Sequence, residues 1–233
     1  MVMVQFSKKH KVLILVSGRG SNMVSIIKTC RRFEWPVDFL SVISDRPCEA
    51  IVKARDLGIK GELVDRDQLG KEVFQAELFS KITTYNPDIV VLAGFMVILD
   101  AKLFSGLFQL MINVHPSLLP QFKGLNTHQR VLDENVRKHG ATVHSLSSGV
   151  DEGPIICQAA ISVANFDTKE TLEKKVLALE HFIFPLSIGA VLSGKVIREG
   201  DKWNHVESCE HWFLDCLLYT SDAADEGLGV DLG

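Results

Sequence analysis

The sequence predicts an α/β fold in which helices cover both faces of a mostly parallel β-sheet. Three observations predict it. The candidate strands are short and apolar throughout, which is typical of strands buried on both faces. Segments with helical periodicity separate these strands along most of the chain. The first strand also ends in a glycine-rich turn, SGRGSN, from which a helix begins.

The first half of the chain alternates strands and helices. Asn86-Pro87-Asp88 ends the longest helix of this half, because proline lacks an N–H and restricts the residue before it. The predicted elements are, in order, a strand at residues 11–16, a helix at 23–32, a strand at 37–44, a helix around 50–57, a short strand near 62–64, a long helix at about 71–85 and a strand that begins at residue 89.

The pattern changes in the second half, where fewer helices separate the strands. The run MINVH predicts a strand at residues 111–115, and a helix is expected at about 127–135. Two further strands, HGATVHSL and PIICQAAISV, are joined by the loop SSGVDEG, and a final helix at about 169–192 ends before Gly194. No internal repeat or linker interrupts this order, so we expect one domain over residues 1–215.

Composition and charge narrow the class of protein. The chain has 233 residues, of which 46% are hydrophobic and 23% charged, as in a soluble globular protein without a membrane span. A formal net charge of -4 disfavours a broad nucleic-acid surface, which needs clustered lysine and arginine. The five cysteines are widely spaced and never form a C-x-x-C pair, so they indicate neither a disulfide framework nor a zinc site and favour a reducing cytoplasm.

The last eighteen residues, CLLYTSDAADEGLGVDLG, are set apart by their composition. They contain four acids and no lysine or arginine, so they account for the whole net charge: 29 acids minus 4 leaves 25, against 25 bases. An acidic, flexible tail is one interpretation. The run CLLYTSDAADE also resembles the conceptual translation of a transposon-type sequencing adapter, and we therefore expect residues 216–233 to be non-native.

Asn113 and His115 stand two residues apart at the end of the strand MINVH, where Pro116 ends it. Residues two apart on a strand point to the same face, so these side chains should project together. Open parallel sheets bind ligands outside the carboxyl ends of their strands, which is where this pair lies. An asparagine amide donates well to a developing oxyanion, and imidazole transfers protons near neutral pH, although a lone histidine in such a position is more often structural.

Three further residues are candidates for the same site. Asp151, in the loop SSGVDEGP, is either a turn residue or a carboxylate that lies against His115 and favours the imidazolium form, which makes a better general acid. Thr142 and His144 form another pair two residues apart, in HGATVH. They either help to order the site, or a water beside it, or serve the fold alone.

Two other segments carry weaker signals. The glycines of SGRGSN permit a tight turn, and the amides at the helix start, with the side chains of Ser21 and Asn22, suit a phosphate; a plain strand-to-helix connection has the same features. The loop is neither a Walker loop nor a complete dinucleotide fingerprint. The run AGFMVIL reads as a buried strand end, and its Gly94 and Met96 would also suit the wall of a flat aromatic ligand.

Six motifs, SGRGSN, LAGFM, NVHPSLLP, GLNTHQR, HGATVH and VDEGPII, occur in this order over roughly residues 11–200. Together they closely resemble the phosphoribosylglycinamide formyltransferase family of purine synthesis. The resemblance implies a Rossmann-like formyltransferase fold and transfer of a formyl group from 10-formyltetrahydrofolate to the amine of glycinamide ribonucleotide. It implies small-molecule partners only, with no metal, nucleic acid or membrane, in a cytoplasmic monomer or homodimer.

The resemblance also implies roles for the catalytic residues. Asn113 would bind the tetrahedral oxyanion. His115, held by Asp151, would act as the proton donor and help to stabilise that intermediate. These three residues match the Asn-x-His motif and the loop aspartate of the family.

Binding residues follow from the same resemblance. Gly20, Ser21 and Asn22 match the loop that holds the substrate phosphate. Glu180, in the motif Glu180-His181, matches a residue that holds the glycinamide end. The positions that match folate-binding residues, largely segments that enclose the pterin through backbone polar groups, are Lys71, Met96, Val97, Ile98, Leu99, Asn113, Ser147, Ser148, Gly149, Val150 and Asp151.

Four positions depart from the family pattern. Val97 stands where an arginine usually follows the GFM methionine, and Asn126 replaces a histidine in the usual GLHTH. Lys71 stands where a folate-contacting arginine is expected, and Leu177 where a polar or basic residue often accompanies the substrate glutamate. Because valine cannot form the paired hydrogen bonds of an arginine with a carboxylate, we expect the affinity for folate or ribonucleotide to differ while the catalytic set is intact.

Related enzymes with the same catalytic domain are alternatives. Methionyl-tRNA formyltransferase usually continues with a GAAPI-like segment and a basic C-terminal domain, which GLNTHQR and the neutral charge balance oppose. Formyltetrahydrofolate hydrolase is generally HHSFLP-like behind a small regulatory domain, whereas this chain has HPSLLP. A folate- or nucleotide-binding protein that has lost turnover is a third alternative, suggested by Val97 and Leu177.

Overall fold

Seven strands form one sheet in the computed structural model, which describes residues 6–200 and 202–206. The strands are β1 (His10–Val16), β2 (Val37–Ser44), β3 (Gly61–Leu63), β4 (Ile89–Leu92), β5 (Met111–His115), β6 (Lys138–Ser145) and β7 (Ile155–Ser162). Their order across the sheet is β3-β2-β1-β4-β5-β6-β7. The first five strands pair in parallel, whereas β6 is antiparallel to both β5 and β7. The predicted α/β fold with a mostly parallel sheet is confirmed.

Helices cover both faces of this sheet. They are α1 (Ser21–Arg32), α2 (Glu49–Asp56), α3 (Arg66–Leu69), α4 (Lys71–Tyr85), α5 (Ala101–Phe104), α6 (Thr127–Asp133) and α7 (Lys169–Leu192). β1 shows how the two faces arise, because its side chains point alternately to either side. Val12, Ile14 and Val16 pack with α1, α2, α6 and α7, whereas Leu13 and Leu15 pack with α4, α5 and the 3-10 helix Ser105–Leu110.

The parallel strands also decide where a site can form. β1, β4 and β5 run in the same direction and are neighbours, so the loops that follow them meet at one edge of the sheet. These loops are residues 17–20, 93–100 and 116–126. They contain parts of four of the six motifs on which the family resemblance rests.

The long predicted elements and the short strand β3 agree with the structure, but several other short elements differ from the prediction. α1 begins at Ser21, two residues before its predicted start. The four-residue helices α3 and α5, the 3-10 helix and a C-terminal hairpin of β8 (Val196–Glu199) with β9 (Lys202–His205) were not predicted. Each is too short to develop a recognisable hydrophobic period.

α7 is the longest helix and lies within the core. A capping box between Thr168 and Thr171 begins it. This helix is long and apolar enough to cross a bilayer, but 67% of its most apolar stretch is buried inside the protein. Packing against the sheet, through residues such as Leu179 and Phe184, therefore accounts for its apolar composition.

Some expectations concern residues outside the described ranges. The proposed non-native tail, residues 216–233, lies there, so the boundary of the predicted domain at residue 215 stays a prediction. Cys30 and Cys48 fall within the described ranges and are free thiols.

Glu62 on β3 is the centre of a polar network at the edge of the sheet. Its carboxylate accepts hydrogen bonds from the hydroxyls of Tyr85 and Ser41, the latter at 2.8 Å, and from the ammonium group of Lys81 at 3.2 Å. The ammonium group of Lys60 also lies 3.2 Å away. Burial raises the pKa of this carboxyl, but the four donors outweigh burial and hold the pKa at about 2, below its ordinary value of 4.5.

We expect Glu62→Gln to lower the free energy of unfolding by about 1.5–3 kcal/mol at pH 7, because hydrogen bonds to a charged group contribute about that much. The folded-state pKa is depressed, so this contribution is present above pH 4.5 and is lost as the pH falls toward about 2. Urea denaturation at pH 7 and pH 3 measures the difference between wild type and variant. It should shrink at pH 3, with Glu134→Gln on an exposed position as the control. An equal difference at both pH values would contradict this account.

Candidate active site

The pairing of β5 with β6 brings four predicted residues onto one face of the sheet. In the antiparallel register Asn113 lies opposite His144, and His115 lies opposite Thr142. Ile112 and Val114, which alternate with the first pair, pack into the apolar core of the other face. The period of two therefore separates polar site residues from core residues, as the sequence predicts.

Asp151 reaches this cluster from the loop between β6 and β7. Its backbone has a positive φ of 53°, an uncommon conformation for a residue with a side chain. Gly153 allows the loop to press against β6, since a Cβ there would stand 1.6 Å from the Ser145 carbonyl oxygen. One carboxylate oxygen of Asp151 lies 3.3 Å from His115 Nδ1 and accepts a hydrogen bond of 2.9 Å from the Gly124 amide.

His115 is buried, with 6% of its surface exposed, and both ring nitrogens face acceptors. Nδ1 faces the Asp151 carboxylate at 3.3 Å, and Nε2 lies 2.9 Å from the carbonyl oxygen of Phe122. A neutral imidazole has one N–H, whereas the imidazolium has two. The Asp151 carboxylate and the Phe122 carbonyl therefore fix the orientation of the ring, because an N–H on either nitrogen has an acceptor.

The His144 ring has different neighbours, which fix the position of its proton. Its Nδ1 lies 2.9 Å from the Ser145 carbonyl oxygen, so the proton of the neutral ring belongs on Nδ1. Burial lowers the pKa of His144, against the opposing effects of the Ser145 backbone and Asp151. The free lone pair on Nε2 then accepts a hydrogen bond from Asn113 Nδ2 at 3.3 Å. This contact orients the Asn113 amide, which has a second N–H.

Thr142 contacts the turn that follows β5 rather than the histidines. Its hydroxyl donates to the Ser117 carbonyl at 2.6 Å and accepts from the Leu119 amide at 3.1 Å. The side chain of Gln158 on β7 donates to both the Thr142 hydroxyl, at 2.9 Å, and the Leu119 carbonyl, at 2.8 Å. Thr142 therefore orders the HPSLLP turn, and its predicted supporting role at the site stays a prediction.

The loop SGRGSN forms a second group of predicted residues with α7. Gly20 has a φ of 74° and lies so close to α2 that a Cβ would approach the Ala50 Cβ to 2.7 Å. Ser21 and Asn22 begin α1, and Asn22 is buried. Its Nδ2 donates to the Glu180 carboxylate at 2.7 Å, which joins the loop to the predicted residue on α7.

This second group has unused acceptors. Asn22 Oδ1 is buried without a hydrogen-bond partner. Burial raises the pKa of Glu180 to about 7; the bond from Asn22 lowers it, and the charge of Glu173 raises it further. Both features leave oxygen atoms that a ligand N–H or O–H would satisfy.

The segment 96–99 lies at the same sheet edge, with two side chains exposed and two packed inward. Met96 and Ile98 are 66% and 71% exposed, whereas Leu99 is buried and Val97 packs against the apolar cluster beneath α4. The Met96 amide donates to the Ser17 hydroxyl at 2.9 Å, which ties this segment to the start of SGRGSN. Lys71 is exposed at the first position of α4.

The loop 147–150, which precedes Asp151, is partly exposed. Ser148 and Val150 are exposed, and Ser147 and Gly149 are half-buried. The Ser147 hydroxyl donates to the Gly149 carbonyl at 3.3 Å, which tightens the turn before Asp151. Polar backbone groups of this loop thus lie next to Asp151 in the chain.

Several contributors could not be found from the sequence. The carbonyl of Phe122 and the amide of Gly124 act through the backbone, which any residue provides. Gln158 acts through its side chain but stands outside recognisable spacing patterns. Ser17 belongs to SGRGSN, but the motif does not indicate its contact with the Met96 amide. No group of three or more His, Cys, Asp or Glu side chains suited to a metal ion occurs among residues 6–200 and 202–206, and the expected absence of a metal stays a prediction.

Comparisons with known proteins identify the family of this chain. A family model described as "Formyl transferase" matches residues 10–188. Phosphoribosylglycinamide formyltransferase of Escherichia coli (strain K12) is 34% identical over 195 residues, which are 82% of this chain and 92% of that protein. The trifunctional purine biosynthetic protein adenosine-3 of Bos taurus is 39% identical over 191 residues, 81% of this chain. The chain spans only 19% of the length of that larger relative.

A solved structure extends the comparison to three dimensions. The crystal structure of glycinamide ribonucleotide transformylase 1 from Symbiobacterium toebii superposes with a TM-score of 0.80 at 35% identity, covering 85% of this chain and 94% of that chain. The family model, the bacterial relative of nearly equal length and this superposition agree. The chain therefore belongs to the formyl transferase family.

Proposed function

We propose that this chain transfers the formyl group of 10-formyltetrahydrofolate to the amine of glycinamide ribonucleotide in purine biosynthesis, as a cytoplasmic monomer or homodimer. One observation carries the proposal: Asn113, His115 and Asp151 meet at the carboxyl edge of the sheet, with His115 Nδ1 at 3.3 Å from the Asp151 carboxylate. Formyl transfer needs an oxyanion donor and a proton donor side by side, and this cluster supplies both.

The proposed chemistry assigns a step to each residue. The substrate amine attacks the formyl carbon, and the C=O electron pair moves onto oxygen, where Asn113 donates an N–H to the oxyanion. As the intermediate collapses, the bond between carbon and the folate nitrogen breaks. That nitrogen takes a proton supplied by His115, and the attacking amine loses one. Asp151 stabilises the charged ring and fixes its orientation.

The binding residues divide between the two substrates. For the ribonucleotide, Gly20, Ser21 and Asn22 offer a phosphate site at the N-terminus of α1, where amides and the helix dipole favour an anion. Glu180 and the unpaired Asn22 oxygen suit the N–H groups of the glycinamide end.

For the folate, we propose the segment 96–99 and the loop 147–151. Val97 is turned against the apolar cluster beneath α4, so no cation stands there to pair with a folate carboxylate. Lys71, exposed at the start of α4, is the proposed cation at this end of the site.

The state of Glu180 gives a prediction about substrate affinity. We expect Glu180→Gln to weaken ribonucleotide binding by roughly ten- to hundredfold above pH 8, because a bond to an ionised carboxylate is lost. The ratio of the two dissociation constants should fall toward one below pH 6, since the wild-type carboxyl then takes up its proton around its pKa of about 7. Calorimetric titration of both proteins at each pH measures this ratio, in which titration of the substrate itself cancels.

Stability of the free protein supplies the matching control. The pKa of Glu180 is raised above its ordinary value of 4.5, so wild-type stability relative to Glu180→Gln should fall as the pH rises from 4.5 through about 7. A ratio of dissociation constants that does not change with pH would argue against a carboxylate contact with the substrate.

The proposed function is tested by following release of tetrahydrofolate from 10-formyltetrahydrofolate, with and without glycinamide ribonucleotide. Release that depends on the ribonucleotide supports the transferase. Release without it would identify a hydrolase. Binding of both ligands to a folded sample without release would identify a binding protein that has lost turnover or an enzyme for another acceptor.

A further inference from the structure

We propose that Gln75 on α4 is a positioning residue for folate binding, because its side-chain amide fixes the backbone of segment 96–100. The inference rests on the proposed function, since it assumes that this segment encloses the folate. It adds a residue that no feature of the sequence indicates. Gln75 lies on a helix behind the segment, so it would act through the segment and not by touching the folate.

Gln75 contacts the segment through both ends of its amide. Nε2 donates to the Ile98 carbonyl oxygen at 3.0 Å, and Oε1 accepts from the Asp100 amide at 3.2 Å. Asp100 in turn caps α5 through a bond of 2.9 Å from the Lys102 amide. The exit of the segment is therefore held by α4 and by the start of α5.

Because Gln75 is buried, its two hydrogen bonds favour one conformation of segment 96–100. Gln75 is only 5% exposed, and it shares the buried side of α4 with Phe74, Leu78 and Ile82. A buried amide is costly unless both its donor and its acceptor are satisfied. Because Ile98 and Asp100 satisfy one atom each, any displacement of the segment would leave a buried polar atom without its partner.

Apolar side chains anchor part of the segment in the core, and hydrogen bonds with neighbouring elements fix its backbone. Residues 95–100 form neither helix nor strand, and the side chains of Met96 and Ile98 point largely to solvent. The Ser17 hydroxyl holds the Met96 amide at the entry, and Gln75 holds the exit. A segment fixed at both ends presents its backbone groups to a ligand without losing further conformational entropy on binding.

The expected consequence concerns affinity for folate rather than the rate of the chemical step. We expect Gln75→Met, which keeps length and volume but removes both hydrogen bonds, to raise the dissociation constant for tetrahydrofolate by roughly tenfold. The KM for 10-formyltetrahydrofolate should rise in parallel, while kcat and the KM for the ribonucleotide stay within about twofold. Gln109→Met, on an exposed position before β5, is the matched control.

A second variant distinguishes the hydrogen bonds from packing. In the Gln75→Glu variant, the ionised carboxylate can accept a hydrogen bond from the Asp100 amide but cannot donate one to the Ile98 carbonyl. When protonated it can do both. Its folate affinity relative to wild type should therefore recover as the pH is lowered, whereas that of Gln75→Met should not. Failure to recover, in a variant that stays folded by circular dichroism, would overturn the proposed role.

Hydrogen exchange tests the clamp without any substrate. Mass spectrometry on the full chain should show faster exchange of the Asp100 amide in Gln75→Met than in wild type or Gln109→Met. Unchanged exchange at Asp100, or unchanged folate affinity in an active enzyme, would overturn the inference. If wild type itself does not transfer formyl groups, the proposed function fails instead, and the exchange result still decides whether Gln75 holds the segment.

Discussion

Replacing His115 by glutamine is expected to lower kcat by roughly 10²- to 10⁴-fold, the contribution usual for a positioned proton donor. Glutamine retains an N–H that can reach the Phe122 carbonyl, 2.9 Å from His115 Nε2, but it has no proton to transfer. The loss should therefore appear in kcat, while both KM values change little, because neither substrate needs this proton to bind. Steady-state kinetics with both substrates measures the effect.

Two controls separate chemistry from folding in this experiment. His115 is buried, so its replacement also removes packing and leaves Asp151 without its imidazole partner. Thermal unfolding of the variant shows whether the fold survives. His205→Gln, on an exposed position of β9, shows whether loss of any histidine has an effect. Wild-type kcat in a folded His115→Gln would remove the residue from the mechanism.

The contrast between His115 and His144 shows what the sequence could and could not predict. Spacing alone placed each residue beside a polar partner on the same face, which the strand period requires. It did not say which groups each ring would meet. His115 faces the Asp151 carboxylate at 3.3 Å and the Phe122 carbonyl, whereas His144 faces the Ser145 carbonyl and the Asn113 amide. The Asp151 carboxylate lies farther from His144, at 3.7 Å.

The same limit applies to the loops. Asp151 was a candidate because a carboxylate between glycines is visible in the sequence. Its place beside His115 depends on a positive φ and on the close approach of Gly153 to β6, which only three-dimensional packing decides. Gln75 gave no signal at all, because one polar residue on a buried helix face follows no motif.

The long elements could be predicted because their own sequence determines them. β1, α4 and α7 each contain enough apolar residues for their burial to outweigh local preferences, and their boundaries are marked by glycine, proline or capping residues. Short elements such as α5 and the 3-10 helix form because their neighbours are already in place. Local sequence therefore predicts the frame of this protein, and tertiary contacts decide the loops that carry its site.

Asn113→Ala is expected to lower kcat by roughly 10²- to 10³-fold, as loss of one oxyanion donor does in other enzymes. The amide of Asn113 is held by His144 Nε2 at 3.3 Å, so its second N–H is already directed before the substrate arrives. Such a preorganised donor acts mainly on the transition state, where the formyl oxygen becomes negative. The loss should therefore fall on kcat, with little change in the KM for either substrate.

His144 offers a way to test this orientation separately. His144→Phe keeps a buried ring but removes the acceptor that holds the Asn113 amide, so its kcat should fall by less than in Asn113→Ala, where the donor itself is missing. The double variant should then be no slower than Asn113→Ala alone, because orientation has no value without the donor. Additive losses would mean that His144 acts on the reaction by another route. An unchanged rate in Asn113→Ala, with Asn204→Ala on the exposed β9 as the control, would exclude the oxyanion role altogether.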